Sequence, residues 1–196
     1  MGSAYAKTMF TSAVHRLQER YRSRAQYARM AESGASHDAL SAREREFIEE
    51  RDSFYLASVS SDGWPYVQHR GGPKGFLRVL DDRRLAFPDF RRNRQYITTG
   101  NVATDDRVSL FLMSYGEQAR LKIIGHMRVV EMGSDAELER KAGVGEYAAG
   151  SVERVVVIEV VGFDWNCSQY ITPRYTQEEI EAAFAGRARG TDGALS

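Results

Sequence analysis

The sequence predicts a mainly β domain: an antiparallel barrel of about six short strands with helices at its flanks. Three observations predict it. Short apolar runs of strand length follow one another from residue 53 to residue 163. Tight-turn chemistry separates them, with Ser61-Asp62-Gly63 and Tyr115-Gly116 as the clearest cases. The strand–helix alternation of a Rossmann fold is missing, and neighbouring strands joined by tight turns pair antiparallel.

The elements follow in order. Residues 12–30 read as one helix, with Val14, Leu17, Tyr21, Ala25 and Ala28 forming an apolar stripe and Arg16, Glu19, Arg20, Arg22 and Arg24 opposite. Residues 32–38 are a polar loop. Ser41 and Glu44 form a capping box for a second helix that buries Phe47 and Ile48. Strands are expected at 53–60, 64–70, 76–80, 85–87, 107–113, 119–131 and 152–163. Pro65 suits the entry of an edge strand. A short helix is expected near 95–102, and another from a Ser134/Glu137 cap to Gly143. One more short helix follows residue 176, and residues 186–196 are expected to be disordered.

Composition bounds the function. Of 196 residues, 42% are hydrophobic and 28% charged, an ordinary globular mixture. Lys+Arg and Asp+Glu both number 27, which argues against a dedicated nucleic-acid binder. Cys167 is the only cysteine, so an intrachain disulfide and a multi-cysteine zinc site are excluded. The first 25 residues hold no apolar leader, and the aliphatic run 155–158 is too short to cross a bilayer. The expected compartment is the cytoplasm.

Four stretches carry chemistry. Pro88-Asp89-Phe90-Arg91-Arg92-Asn93-Arg94-Gln95 follows a strand with a dense basic cluster. Arginine forks meet both the charge and the acceptor oxygens of a phosphate monoester, although a solvated basic turn has the same composition. Gln68-His69-Arg70-Gly71 is a strand that must aim some of its polar side chains inward or at an interface. His69 has no ligand-spaced partner among His15, His37 and His126, so no metal site is expected. Arg120 and Lys122 share one strand face and Leu121 and Ile123 the other. The segment DWNCSQYI supplies Trp165, read from its residues alone as a packing group.

Taken together, FYLASVSSDGWPYVQHRGGPKGFLRVLDD, LAFPDFRRNRQYITTGNV, DRVSLFLM, LKIIGHMRVV and DWNCSQYITPRYT resemble the pyridoxamine 5′-phosphate oxidase-like, FMN-binding split-barrel superfamily. The likeness is greatest to its bacterial subgroup of predicted flavin-nucleotide-binding proteins. The resemblance covers residues 54–176. It implies a six-stranded antiparallel split β-barrel of Greek-key form, a homodimer, and FMN held at the subunit interface. It places Val67, Gln68, His69, Arg70 and Gly71 beside the isoalloxazine, and Pro88 and Asp89 at a strand end touching the flavin. Asn93, Arg94 and Gln95 match the family's Ser-Arg-Lys phosphate grip, with Arg91 or Arg92 in place of the missing lysine. Arg120 matches a cofactor-reaching position that is often Gln. Trp165 resembles a late tryptophan that closes the site from the other subunit.

One departure matters. The C-terminal Arg-x-His substrate motif of true pyridoxamine phosphate oxidases is absent, and the chain continues TPRYTQEEIEAAF. The expected function is therefore an FMN-dependent oxidoreductase of a different substrate, with His69 and Arg70, nearest the ring, as the candidate catalytic residues and NAD(P)H or a small molecule as partner. The alternatives are a flavin carrier or redox sensor without turnover, or a barrel using a deazaflavin or haem. The expected organisation is a helical segment over residues 1–52, the barrel over 53–176 and a tail over 177–196.

Overall fold

The structure is a computed structural model and describes residues 3–32, 39–91, 94–166 and 168–191. Seven strands form one sheet: β1 (Ser53–Val59), β2 (Pro65–Gly71), β3 (Arg78–Val79), β4 (Arg84–Phe90), β5 (Arg107–Ser114), β6 (Ala119–Glu131) and β7 (Val152–Trp165). Their order is β2-β1-β5-β6-β7-β4-β3, with every pairing antiparallel. The sheet curls but stays open, a split barrel of seven strands, as many as the sequence marks out and one more than the six the family resemblance implies. The shortest is β3, expected over 76–80 but reduced to two residues that pair only with Leu85 and Ala86. Beyond them, the far half of β4 faces β2 across a seam.

Inside the curl lies the main core. Phe54, Phe76 and Phe87 contact one another at centroid distances of 5.3–6.4 Å. Leu56, Leu110, Leu112, Leu121, Ile123, Val156 and Ile158 complete it. Helix α4 (Ala42–Glu49) adds Phe47 and Ile48, and its Ser41/Glu44 capping box forms as the sequence predicts. A second cluster packs Val155, Val157 and Ala86 under Leu138 and Ala142 of the α6 region (helix Ala136–Lys141). Strand β7 is thus buried on both faces, which explains its unbroken Val-Val-Val-Ile run.

Three local expectations are corrected. Residues 12–30 do not form one helix. The N-terminal region comprises α1 (Ala4–Met9), α2 (Ser12–Arg20) and α3 (Arg24–Glu32), and Arg22 at φ 59° breaks the last two apart. The apolar stripe therefore loses its phase: Leu17 and Tyr21 are exposed, while Gln18 is buried. Helix α6 is capped by the Asp135 side chain accepting from the Leu138 N–H, because Glu137 is engaged by Arg140 and Lys141. The last helix, α7, spans Gln177–Thr191, so residues 186–191 are helical rather than disordered. Among the described residues, no helix is long and apolar enough to cross a membrane.

A charged cluster at the barrel seam as the candidate cofactor site

Strand β2 is an edge strand, and its alternation decides what reaches the seam. Tyr66, Gln68 and Arg70 are half-buried on the barrel side, while Val67 and His69 are exposed on the outer face. There the His69 ring meets Tyr55 edge-on at 5.6 Å. The two residues expected nearest a flavin ring thus point to opposite faces of one strand.

Arg70 Nη1 donates to Asp89 Oδ1 of β4 at 2.8 Å and so bridges the seam. Pro88 is buried beside it. Arg154 of β7 lies on the other side of Asp89, with its Nε 3.7 Å from Oδ2. Its guanidinium sits 4.9 Å from the Tyr96 ring centroid, a cation–π contact.

A β-bulge builds the rest. Asp89 pairs with Arg154 and Phe90 with Val152, which leaves Glu153 as the extra residue of β7. In a regular strand, residues 153 and 154 would face opposite ways; the bulge re-aims them. Both side chains are 11% exposed and pair at 3.0 Å. Glu153 also receives Arg91 and Arg94, each with Nε at 3.4 Å, and the Tyr96 hydroxyl at 3.3 Å. Among the described residues, four arginines therefore meet two carboxylates, which leaves two positive charges over. The buried Nε atoms of Arg70 and Arg154 have no hydrogen-bond partner among the described residues.

Helix α5 (Ile97–Val102) fixes the loop that carries Arg94. Thr98 Oγ1 donates to Gln68 Oε1 at 3.1 Å, and Asn101 Nδ2 donates to Ser58 Oγ at 2.9 Å in the interior. Arg94 and Tyr96 both adopt left-handed backbone, at φ 56° and 53°. Gln95 joins Arg94, Tyr66, Gln68, Arg70, Asp89 and Glu153 around one cleft. It is a half-open cleft with a cavity volume of about 40 Å³. Whole-ligand pockets are of the order of several hundred Å³, so the cleft admits a phosphate-sized group and not a complete nucleotide.

The remaining expected residues lie elsewhere. Arg120 and Trp165 sit together at the far end of β6 and β7, where the Asn166 N–H donates to the Arg120 carbonyl. Lys122 beside them is paired with Asp164 at 2.8 Å. The Trp165 indole N–H donates to Glu44 Oε1 at 2.7 Å, its ring meets Phe47 edge-on, and Arg43 lies 4.3 Å from the ring centroid. Within this chain it packs against α4. Burial alone would raise the Glu44 carboxyl; hydrogen bonds from Ser41 and Trp165 outweigh this and hold it below its ordinary value. Gly71 lines the seam next to the His69 ring. Arg92, Asn93 and Cys167 lie outside the described residues. Among the described residues, no group of three His, Cys, Asp or Glu is placed to hold a metal ion.

Glu153 and Arg154 went unread in the sequence. Their signal was two adjacent opposite charges at the start of an otherwise apolar strand, a pattern that regular alternation cannot bury on one side.

The fold and the seam define an antiparallel split barrel with a cationic cleft between β2 and β4. The family model described as pyridoxamine 5′-phosphate oxidase matches residues 40–160, and the chain belongs to that family. No curated protein sequence matches. Among solved structures, HupZ of Group A Streptococcus is 15% identical, covering 69% of this chain and 100% of its own, with a TM-score of 0.51. A candidate pyridoxamine 5′-phosphate oxidase from Lactobacillus delbrueckii is 19% identical, covering 65% and 94%, with a TM-score of 0.50. An FMN-binding protein from Syntrophomonas wolfei is 11% identical, covering 77% and 97%, with a TM-score of 0.46. At these identities the likeness is one of fold.

Proposed function

We propose that this protein binds FMN as a homodimer and works as a flavin-dependent oxidoreductase on a substrate other than pyridoxamine phosphate. The observation that carries the reading is the charge imbalance at the seam. A phosphate monoester carries about two negative charges at neutral pH, the same number as the described arginines leave uncompensated. The unpartnered Nε atoms of Arg70 and Arg154 supply further donors of the right kind.

Arg94 and Arg91 would grip the phosphate, with Gln95 beside them, and Asn93 belongs to the same grip by family resemblance. Asp89 holds Arg70 and Arg154 in place. Bound flavin supplies hydride or electron transfer at its ring. Val67 and His69 would flank that ring from the outer face of β2, with Gly71 at the seam end of the strand. The cleft's small volume supports a site completed by a second copy. So do the exposed apolar residues of that region, Tyr55, Val59, Trp64 and Val67. Arg120 and Trp165 lie far along β6 and β7 from the cluster, so in this reading they act on the partner's site.

The test is the visible spectrum of purified protein, followed by denaturation and identification of the released chromophore. A flavin spectrum with FMN released supports the reading. Colourless protein that also fails to take up added FMN overturns it. Anaerobic titration with NADPH then separates an enzyme from a flavin module without turnover. The second reading has one feature in its favour: Arg174 is followed two residues later by Thr176, not by the histidine of the oxidase substrate motif.

A further inference from the structure

The bulge residue Glu153 has a consequence for which anions the cleft accepts. Its carboxylate, 11% exposed, already holds both arginines expected to meet a phosphate. Arg91 and Arg94 are 57% and 55% exposed, so they can swing away. Arg154 and Arg70, at 11% and 14%, cannot. Arg94 and Tyr96 are both held in left-handed conformations, which cost free energy for non-glycine residues, and both lean on Glu153.

We propose that Glu153 is an internal counter-anion that selects phosphate monoesters over monoanionic ligands. An incoming anion must take Arg91 and Arg94 from a carboxylate that is already in place. A carboxylate or a phosphodiester brings one negative charge and gains nothing by the exchange. A phosphomonoester dianion brings nearly two charges and a third oxygen, and it wins. Glu153 then remains beside the bound phosphate as a like charge held by Arg154 and Tyr96. It lowers the affinity for every anion and leaves only the doubly charged ones bound. The inference rests on the phosphate reading above and adds the ligand class.

The test compares wild type with Glu153→Gln, which keeps the shape and removes the charge. Calorimetric titrations use FMN, inorganic phosphate and dimethyl phosphate as probes. Wild type is expected to bind phosphate and ignore dimethyl phosphate. The variant is expected to bind FMN and phosphate roughly tenfold more tightly, as removal of a nearby like charge implies, and to acquire measurable affinity for dimethyl phosphate. Equal or weaker FMN and phosphate binding by the variant overturns the proposal, since Glu153 would then only position the arginines. Wild-type binding of dimethyl phosphate as strong as that of phosphate overturns it too. If wild type binds phosphate but not FMN, the flavin reading fails while the phosphate and diester comparison still decides this one. Should Glu153→Gln not fold, Glu153→Asp retracts the carboxylate by one methylene. The same direction is expected at smaller size, and no tightening overturns the proposal.

Discussion

Arg70 on β2 and Asp89 on β4 meet at 2.8 Å across the seam of the barrel, joining two strands that share no ladder of hydrogen bonds. Both side chains are largely buried, and Asp89 also faces Arg154. Removing one partner of such a pair strands the other charge. Asp89→Asn should therefore cost about 3 kcal/mol of folding stability, read as a shift of the urea midpoint. It should also loosen the seam, seen as faster amide exchange in β2. An unchanged midpoint would mean that water already compensates Arg70 and Arg154.

Arg94 carries the second prediction. It is exposed, its only described ion pair is to Glu153, and its guanidinium lines the cleft. Arg94→Ala should leave the thermal midpoint within about a degree or two, as an exposed pair contributes little. It should raise the FMN dissociation constant by roughly ten- to a hundredfold, the value of a charge-assisted hydrogen bond. Fluorescence quenching on titration measures it. Intact FMN affinity would remove the phosphate from this loop.

Trp165 and Glu44 supply a prediction with a pH sign. The indole N–H donates to the Glu44 carboxylate at 2.7 Å and, with Ser41, holds its pKa below the ordinary 4.5. A lowered folded-state pKa means that the unfolded chain takes up the proton first. The stability from this carboxylate is thus complete above the unfolded pKa and is lost as pH falls through the folded one. Trp165→Phe removes the donor, so it should cost about 1–3 kcal/mol at pH 7. The gap to wild type should narrow on acidification below pH 4.5. Parallel stability curves across that range would show that Trp165 contributes by packing alone.

How much of this was legible depends on periodicity. Most strands, the capping box at Ser41 and Glu44 and the Pro65 edge position are local signals and lie where the sequence puts them, whereas the hairpin expected at 76–80 and 85–87 is redistributed into a two-residue β3 and a longer β4. The strand-face alternation at Gln68, His69 and Arg70 was readable in principle, since period two separates His69 from its neighbours. Glu153 and Arg154 offered only their adjacent opposite charges as a signal, because a bulge breaks the period they would be judged by. Not readable was the break at Arg22, where a residue without glycine's freedom takes a left-handed turn and dephases Leu17 and Tyr21 from Ala25 and Ala28.

The last prediction concerns how the N-terminal helix is attached. A Cβ on Gly162 would lie 2.7 Å from the Tyr5 amide nitrogen and 3.2 Å from its Cα. Only glycine lets α1 rest this closely on β7, where Lys122, paired with Asp164, also lies 5.0 Å from the Tyr5 ring centroid. Gly162→Ala should push α1 off the sheet while leaving the strand ladder intact. Hydrogen exchange should quicken over residues 4–9 and stay slow in β6 and β7, at a stability cost of about 1–3 kcal/mol. Gly125→Ala is the contrast, because its Cβ would run into the Glu159 carbonyl of the paired strand itself. That variant should lose protection throughout β5, β6 and β7 together. Equal exchange profiles for the two variants would show that α1 and the barrel unfold as one unit.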